Sequence, residues 1–549
     1  MVNRTPGPKN NIEVWVDVFG HLLVIAPILL YWLYWTFNPS YWFHGDPEAI
    51  FLLDSLAVFN GQSYVYVDHP GTPVHVLGTS MLAVTFPFFG SKQAFIDFYI
   101  YRPEAFFLMT HAFLLAANIF TAIVLYRVVR SNLNHDRMLG AASLAVLFFT
   151  LHPYGFQSLT LWEHNSLNFP FATLLLIWLY RLIQREQEIA NQALFRLGLA
   201  NGILAVAQVY FYAWVATAIF TIFVYVWRSG RGLKQASHSS FFVLLGGLAG
   251  IASMLLPIYS EVPRFLDWFF NATLHQGIYG TGEPGFISLP MIAFALDYWW
   301  TYLRTLTLTL TFSLIALGAF IWRRRRVSAA LSPSTQAMLA GLLLLAGMIL
   351  VMMIKTAGKL RYALSLAALL PVLILVILEI SKGTFWERFK LSRFVYVLIW
   401  VGIVRMLAWQ LPAQDRFALE EREGRAAKSQ ALTRLAQELG VPKDEVVVVY
   451  TVGVPIQCAG MLAAMNWTGK FVDEITAMCP SQYFFFDSVI ELNSAIPLLD
   501  IRDIEWDMVV WPGNGSNMPE YLESVGAVNI PKSWHIRRSR WFFIHPLDV

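Results

Sequence analysis

RPEAFFLMTHAFLLAANIFTAIVLYRVVR (102–130) is the stretch on which the reading of this chain turns. An arginine opens it, an unbroken apolar run follows, and a tyrosine and two arginines close it. A spanning helix needs about 20 mostly apolar residues, and clustered arginines mark the cytoplasmic ends of spans. Similar runs lie on either side, near 18–37, 138–152, 168–183, 196–211, 212–227, 241–258, 304–322, 335–354, 362–380 and 392–410, about eleven spans in all. The run near 18–37 has no small-residue cleavage pattern after it and reads as a retained first span. Composition agrees: 57% of the 549 residues are hydrophobic and 14% charged, against about 25% charged in soluble domains. This excludes a disordered chain, a disulfide scaffold and a simple cytosolic enzyme. A net charge of +3 gives no electrostatic case for nucleic acid.

Loop charge sets the expected orientation. With Arg4 and Lys9 inside, the loops after alternate spans carry Arg127, Arg130 and Arg137; Arg181, Arg185 and Arg196; Arg228, Arg231 and Lys234; Arg323 to Arg326; and Lys382, Arg388, Lys390 and Arg393. The intervening loops are long or acidic. The positive-inside rule then places the N-terminus inside and the C-terminus outside, as in the inner membrane of a prokaryote. Tyr210, Tyr212 and Trp214 mark a turn at one membrane face, so 196–227 reads as two spans. After 411 the composition changes: 413–439 is polar and helical, DEVVVVY (444–450), QYFFFD and WDMVVW read as buried strands, and a helix-like stretch lies between. The fold expected is an all-α polytopic membrane domain over 1–411, with a small extracytoplasmic α/β domain over 412–549. No internal repeat supports an inverted-repeat transporter.

Three constellations sit on the outer side. The first is the outer loop 38–104, where Asp46 and Glu48 stand in the order Asp-Pro-Glu at the end of the first span, followed by Asp68, His69, Pro70, Gly71 and Pro73. Leu52, Leu53, Leu56 and Val58 suggest an amphipathic helix lying on the membrane, which Asp46 and Glu48 would on the structural reading merely cap. The second is Glu163, His164 and Asn165 at the mouth of a span, where a carboxylate is costly and is paired or functional. The third is Lys355, Lys359 and Arg361 in an outer loop that is basic against the charge rule. Such a cluster asks for an anionic partner, and guanidinium groups match phosphate oxygens. Arg102 and Arg304 stand at outer mouths and join this set. GTGEPG (280–285) fits GxGxxG by letter, but follows no strand and opens no nucleotide-binding helix. Walker A, HExxH and GxSxG motifs do not occur.

The order of these constellations resembles the GT-C superfamily of integral-membrane glycosyltransferases, nearest to its family-39 protein O-mannosyltransferase and aminoarabinose transferase branch. The acidic motif corresponds to Asp46-Pro47-Glu48, the patch that follows to Asp68-His69-Pro70-Gly71-Thr72-Pro73, and the span opened by an arginine to the stretch beginning at Arg102. The outer glutamate corresponds to Glu163, and the basic-tyrosine motif to Lys359, Arg361 and Tyr362. The resemblance covers about 45–380. Asp-Pro-Glu replaces the usual adjacent Asp-Glu, and Gly-Thr stands where Pro-Leu is common.

The resemblance implies a polyprenyl-phosphate-linked sugar donor and inverting transfer of a hexosyl or pentosyl group to a lipid, glycan or protein acceptor on the outer face. Asp46 is the expected base, with Glu48 and Glu163 as supports or metal ligands. Arg102, Lys359, Arg361 and Tyr362 would hold the donor phosphate, and Asp68 and His69 belong to the substrate loop. The resemblance fixes no cofactor, and the acidic motif permits a divalent metal, Mg or Mn. The alternatives are a lipid-phosphate or glycolipid transporter or flippase, which would line a path with charged groups inside spans, and a non-catalytic subunit of the same fold. Cys458 and Cys479 are the only cysteines. Neither has metal-ligand spacing. They lie close to the ends of expected strands, which favours a disulfide over two buried free thiols.

Overall fold

The computed structural model describes residues 11–36, 48–63, 71–132, 137–150, 155–185, 188–273, 287–326, 331–355, 360–381, 400–401, 403–404, 407–408, 447–450, 457–479, 482–484, 508–511 and 543–546. The chain divides into two compact units. One holds 1–35, 68–74 and 111–411, the other 36–67, 75–110 and 412–549. Much of the outer loop expected to belong to the membrane domain therefore clusters with the C-terminal residues.

In the first unit the helices are α1 (Asn11–Thr36), most of α5 (Pro103–Asn132), α6 (Arg137–Thr150), α7 (His164–Gln184), α8 (Asn191–Ala207), α9 (Tyr212–Val226), α10 (Gly232–Leu255), α11 (Val262–Thr273), α12 (Leu289–Tyr302), α13 (Arg304–Arg326), α14 (Pro333–Lys355) and α15 (Leu364–Ser381). Among the described residues six segments are long and apolar enough to cross a membrane, by length and composition. They are consistent with an all-α membrane domain. A bent pair, Thr72–Phe88 with Lys92–Tyr101 at 119°, would make a seventh. The sequence suggests about eleven spans; among the described residues some of those runs form helices shorter than a span. The runs near 138–152, 196–211 and 362–380 form helices of 14, 17 and 18 residues. At 1.5 Å per residue the shortest reaches about 21 Å, against roughly 30 Å of hydrocarbon. The run near 392–410 lies largely outside the described residues.

Side-chain contacts fix the direction of several helices. Asp17 pairs with Arg130, and Trp32 Nε1 donates to the His111 carbonyl at 3.2 Å, so α1 and α5 run antiparallel. Thr173 donates to the Ala368 carbonyl at 3.0 Å, and Gln184 Nε2 to Glu379 at 2.9 Å, so α7 and α15 run parallel. Gly341 lies against Thr221 while Tyr210 donates to the Met352 carbonyl, so α9 and α14 run antiparallel. The closest approach is between α8 and α10, which run parallel. A Cβ at Gly198 would overlap the Val243 carbonyl oxygen, one at Gly202 that of Gly247, one at Gly246 that of Phe195 and one at Gly250 that of Leu199. Two glycine pairs, each four residues apart, let the two backbones touch, as small residues do between helices in lipid. Between α9 and α10 the chain passes through Gly230 and Gly232 at φ 79° and 80°, which breaks the long apolar run beside Arg228 and Arg231.

The second unit contains α2 (Ile50–Phe59), α3 (Thr72–Thr85) over most of its length, α4 (Lys92–Tyr101), and two helices from the C-terminal part, α16 (Gln457–Thr468) and α17 (Val472–Met478). The reading of α2 as a helix lying on the membrane is corrected here. Every residue from Ile50 to Ala57 is buried, Asp54 and Ser55 among them, so the helix has no face left for a membrane surface. α16 packs on α2, and α17 on α4. Four short strands, β1 (Val447–Tyr450), β2 (Gln482–Phe484), β3 (Met508–Trp511) and β4 (Phe543–Pro546), form a sheet of order β2-β1-β3-β4. β1 pairs parallel with β2 and β3, and β4 pairs antiparallel with β3.

Candidate functional site

Of the residues expected at the site, Asp46, Asp68, His69 and Lys359 lie outside the described residues. Arg361 lies in the 3-10 turn Leu360–Ala363, and its side chain is likewise outside the description. Glu48 and Arg102 belong to the second unit and Glu163 and Tyr362 to the first, so each unit has its own polar centre.

The centre of the first unit is the head of α7. Glu163 is its N-cap residue, in extended conformation at φ −150° and ψ 168°, and its side chain makes no capping bond. Its carbonyl accepts from the Leu167 amide at 3.0 Å, so backbone geometry starts the helix and the carboxylate is not spent on capping. Every residue from 158 to 170 is buried. Among them are Thr160, Glu163, His164, Asn165, Ser166 and Asn168. So many polar groups in a dry environment cost several kcal/mol unless they are satisfied or serve a ligand. Asn165 Nδ2 lies 3.2 Å from His164 Nε2. Among the described residues neither amide atom of Asn168 nor the Ser166 hydroxyl has a hydrogen-bond partner. Pro170 has no N–H for the Ser166 carbonyl, and its own carbonyl lies 3.4 Å from the Thr121 hydroxyl of α5. Asn118, one turn earlier on α5, is fully buried and its Oδ1 lacks a partner among the described residues. Tyr362 stacks on Tyr210 with ring centres 4.9 Å apart.

In the second unit Glu48 is fully buried. It precedes Ala49, which holds the N-cap position of α2. One turn further on, Asp54 Oδ2 lies 3.8 Å from His75 Nε2 of α3, both side chains at 0% exposure, with the Phe51 ring 4.9 Å from the imidazole. Arg102 is exposed. It ends α4, its amide bonding the Phe98 carbonyl at 2.9 Å, and its guanidinium lies over the Phe98 ring at 5.8 Å. Arg102 is thus a cation held at an aromatic face with its donors open to solvent.

Asp54, His75, Asn118, Ser166 and Asn168 were not singled out from the sequence. The available signal was a polar side chain interrupting an apolar run, as in IFLLDSLAVF and around Asn118. Such a residue in a span is a functional candidate by default. No protein-family model, curated protein or solved structure matches the chain.

Proposed function

We propose that the chain is a polyprenyl-phosphate-sugar-dependent glycosyltransferase of GT-C type, working at the outer face of the membrane with an extracytoplasmic α/β domain formed from 412–549. The observation that supports it most is Glu163: a buried carboxylate at the head of an apolar helix, not used as a cap and followed by Ser166 and Asn168, whose side chains have no hydrogen-bond partner among the described residues. In this reading Asp46 takes the acceptor hydroxyl proton, the oxygen attacks the anomeric carbon, and the bond from that carbon to the phosphate oxygen breaks. Glu48 and Glu163 orient the acceptor. Arg102, Lys359 and Arg361 stabilise the departing polyprenyl phosphate, with Tyr362 beside them, and Asp68 and His69 close the site. Mg or Mn at Asp46 and Glu48 would add a positive charge. Among the described residues no three His, Cys, Asp or Glu side chains converge, and no step is routed through a metal.

The test is transfer from a labelled polyprenyl-phosphate sugar by protein in proteoliposomes. Asp46→Asn is expected to lower turnover by about 10²–10⁴-fold while the protein still inserts. Wild-type turnover in Asp46→Asn, Glu48→Gln and Glu163→Gln alike would overturn the reading, as would movement of the intact lipid across the bilayer with no transfer.

A further inference from the structure

We propose that a polar cleft in the second unit is a binding site for a sugar ring. The cleft has a volume of about 470 Å³, within the range of roughly 300–1,000 Å³ typical of small-molecule sites. Its walls are the end of α2, the start of α4 and the start of α17. The proposal is independent of the transferase reading, since it concerns equilibrium binding at residues which that reading does not use.

The sequence builds the cleft by local means. α2 stops at Asn60, and Gly61 at φ 81° turns the chain back, a conformation that glycine adopts without strain. Ser91 caps α4, its hydroxyl accepting from the Ala94 amide at 3.1 Å. Lys92 Nζ then donates to the Asn60 carbonyl at 3.3 Å. Gln93 Nε2 donates to Asp97 at 2.8 Å and to Glu474 of α17 at 3.5 Å. Lys92, Gln93 and Glu474 are therefore tied to the walls before any ligand arrives. Phe471 lines the same cleft at φ 58° and ψ 38°. A bulky residue in left-handed conformation is a genuine outlier, and such strain collects at ligand sites. No aromatic ring among the described residues packs against the Phe471 side chain.

The chemistry selects the ligand. Asp473 and Glu474 oppose an anion, and Lys92, the one cation on the described walls, is already engaged. This disfavours a phosphate headgroup. Carboxylates accept from hydroxyls, as does the Gln93 Oε1, while the amide of Gln62 both donates and accepts, which matches neighbouring hydroxyls that do both. The C–H face of a sugar ring would bury against Phe471. A neutral polyhydroxylated ring satisfies every wall, and neither an anion nor a purely apolar group does.

The test applies the full-length protein in detergent to an array of hexose, pentose and amino-sugar oligosaccharides, with phosphorylated and sulfated sugars alongside. The wild type is expected to be retained on at least one neutral class. Asp473→Ala and Gln93→Ala are each expected to weaken apparent affinity about tenfold, the size of one or two lost hydrogen bonds. Phe471→Gly removes the ring but accepts the left-handed backbone without strain, so it is expected to lose binding while keeping the wild-type melting temperature. Retention on no sugar class, retention on anionic sugars alone, or an unchanged profile in all three variants would overturn the proposal.

Discussion

Asn168 is fully buried in α7, and neither atom of its amide is hydrogen-bonded among the described residues. A buried amide without partners costs about 1–3 kcal/mol, and replacing it with an apolar group of similar shape removes that cost. Asn168→Leu is therefore expected to leave stability unchanged or raise it by roughly 1–2 kcal/mol, read as an unchanged or higher melting temperature in detergent. Sugar transfer by the same variant is expected to fall if this amide, one turn into the helix that Glu163 begins, holds a ligand. A drop of several degrees would show that the amide has a structural partner. Glu163 starts the same helix through its backbone, and its side chain makes no capping bond.

At the scale of elements, the glycine contact of α8 with α10 makes a sharper demand than any hydrophobic face. The atoms that a Cβ would strike are backbone carbonyls, which cannot swing aside as a side chain can. Gly202→Leu is expected to destabilise by overpacking, about 1–3 kcal/mol. That outweighs the few tenths to about 1 kcal/mol gained by restricting the unfolded chain. Gly347 in α14 has nothing among the described residues within 4 Å of where its Cβ would lie, so Gly347→Leu is the control and is expected to be neutral or slightly stabilising. Equal melting temperatures for the two variants would refute the close approach. This contact was not legible in the sequence, because Gly198 and Gly202 lie in a stretch whose hydropathy is the same whether it faces lipid or another helix. The start and end of α5 were legible, since Arg102 and Arg130 bracket an apolar run. The burial of α2 was misread because its spacing of leucines fits a surface helix, and only tertiary contacts show that Asp54 faces His75 inside the protein. The head of α7 was half legible: Glu163 is conspicuous by charge, whereas Ser166 and Asn168 matter only through a burial that composition does not encode.

At the scale of the whole molecule, helix direction and sulfur chemistry bear on one question, which side of the membrane the C-terminal residues occupy. α1 runs against α5, α9 against α14, α7 along α15 and α8 along α10. These are the relative directions expected if each of the apolar runs, about eleven in all, crosses in turn, and they leave the absolute sense open. Cys479 is buried and disulfide-bonded, and the chain has one other cysteine, Cys458, in the first turn of α16. Disulfides persist in oxidising compartments and are rare in the cytosol, so the bridge and the arginine-rich alternate loops both favour a C-terminal part outside. Closing a loop of roughly 20 residues contributes about 3 kcal/mol in the chain-entropy model, a large share of the stability of so small a unit. Mass spectrometry of protein alkylated after denaturation without reductant is expected to show both cysteines unlabelled, and a C-terminal tag is expected to react with an impermeant reagent once the outer barrier alone is opened. Two labelled thiols would remove the bridge. A tag that reacts only after the inner membrane is breached would invert the orientation and with it the outer-face site, because every residue proposed to hold the donor phosphate would then face the cytoplasm.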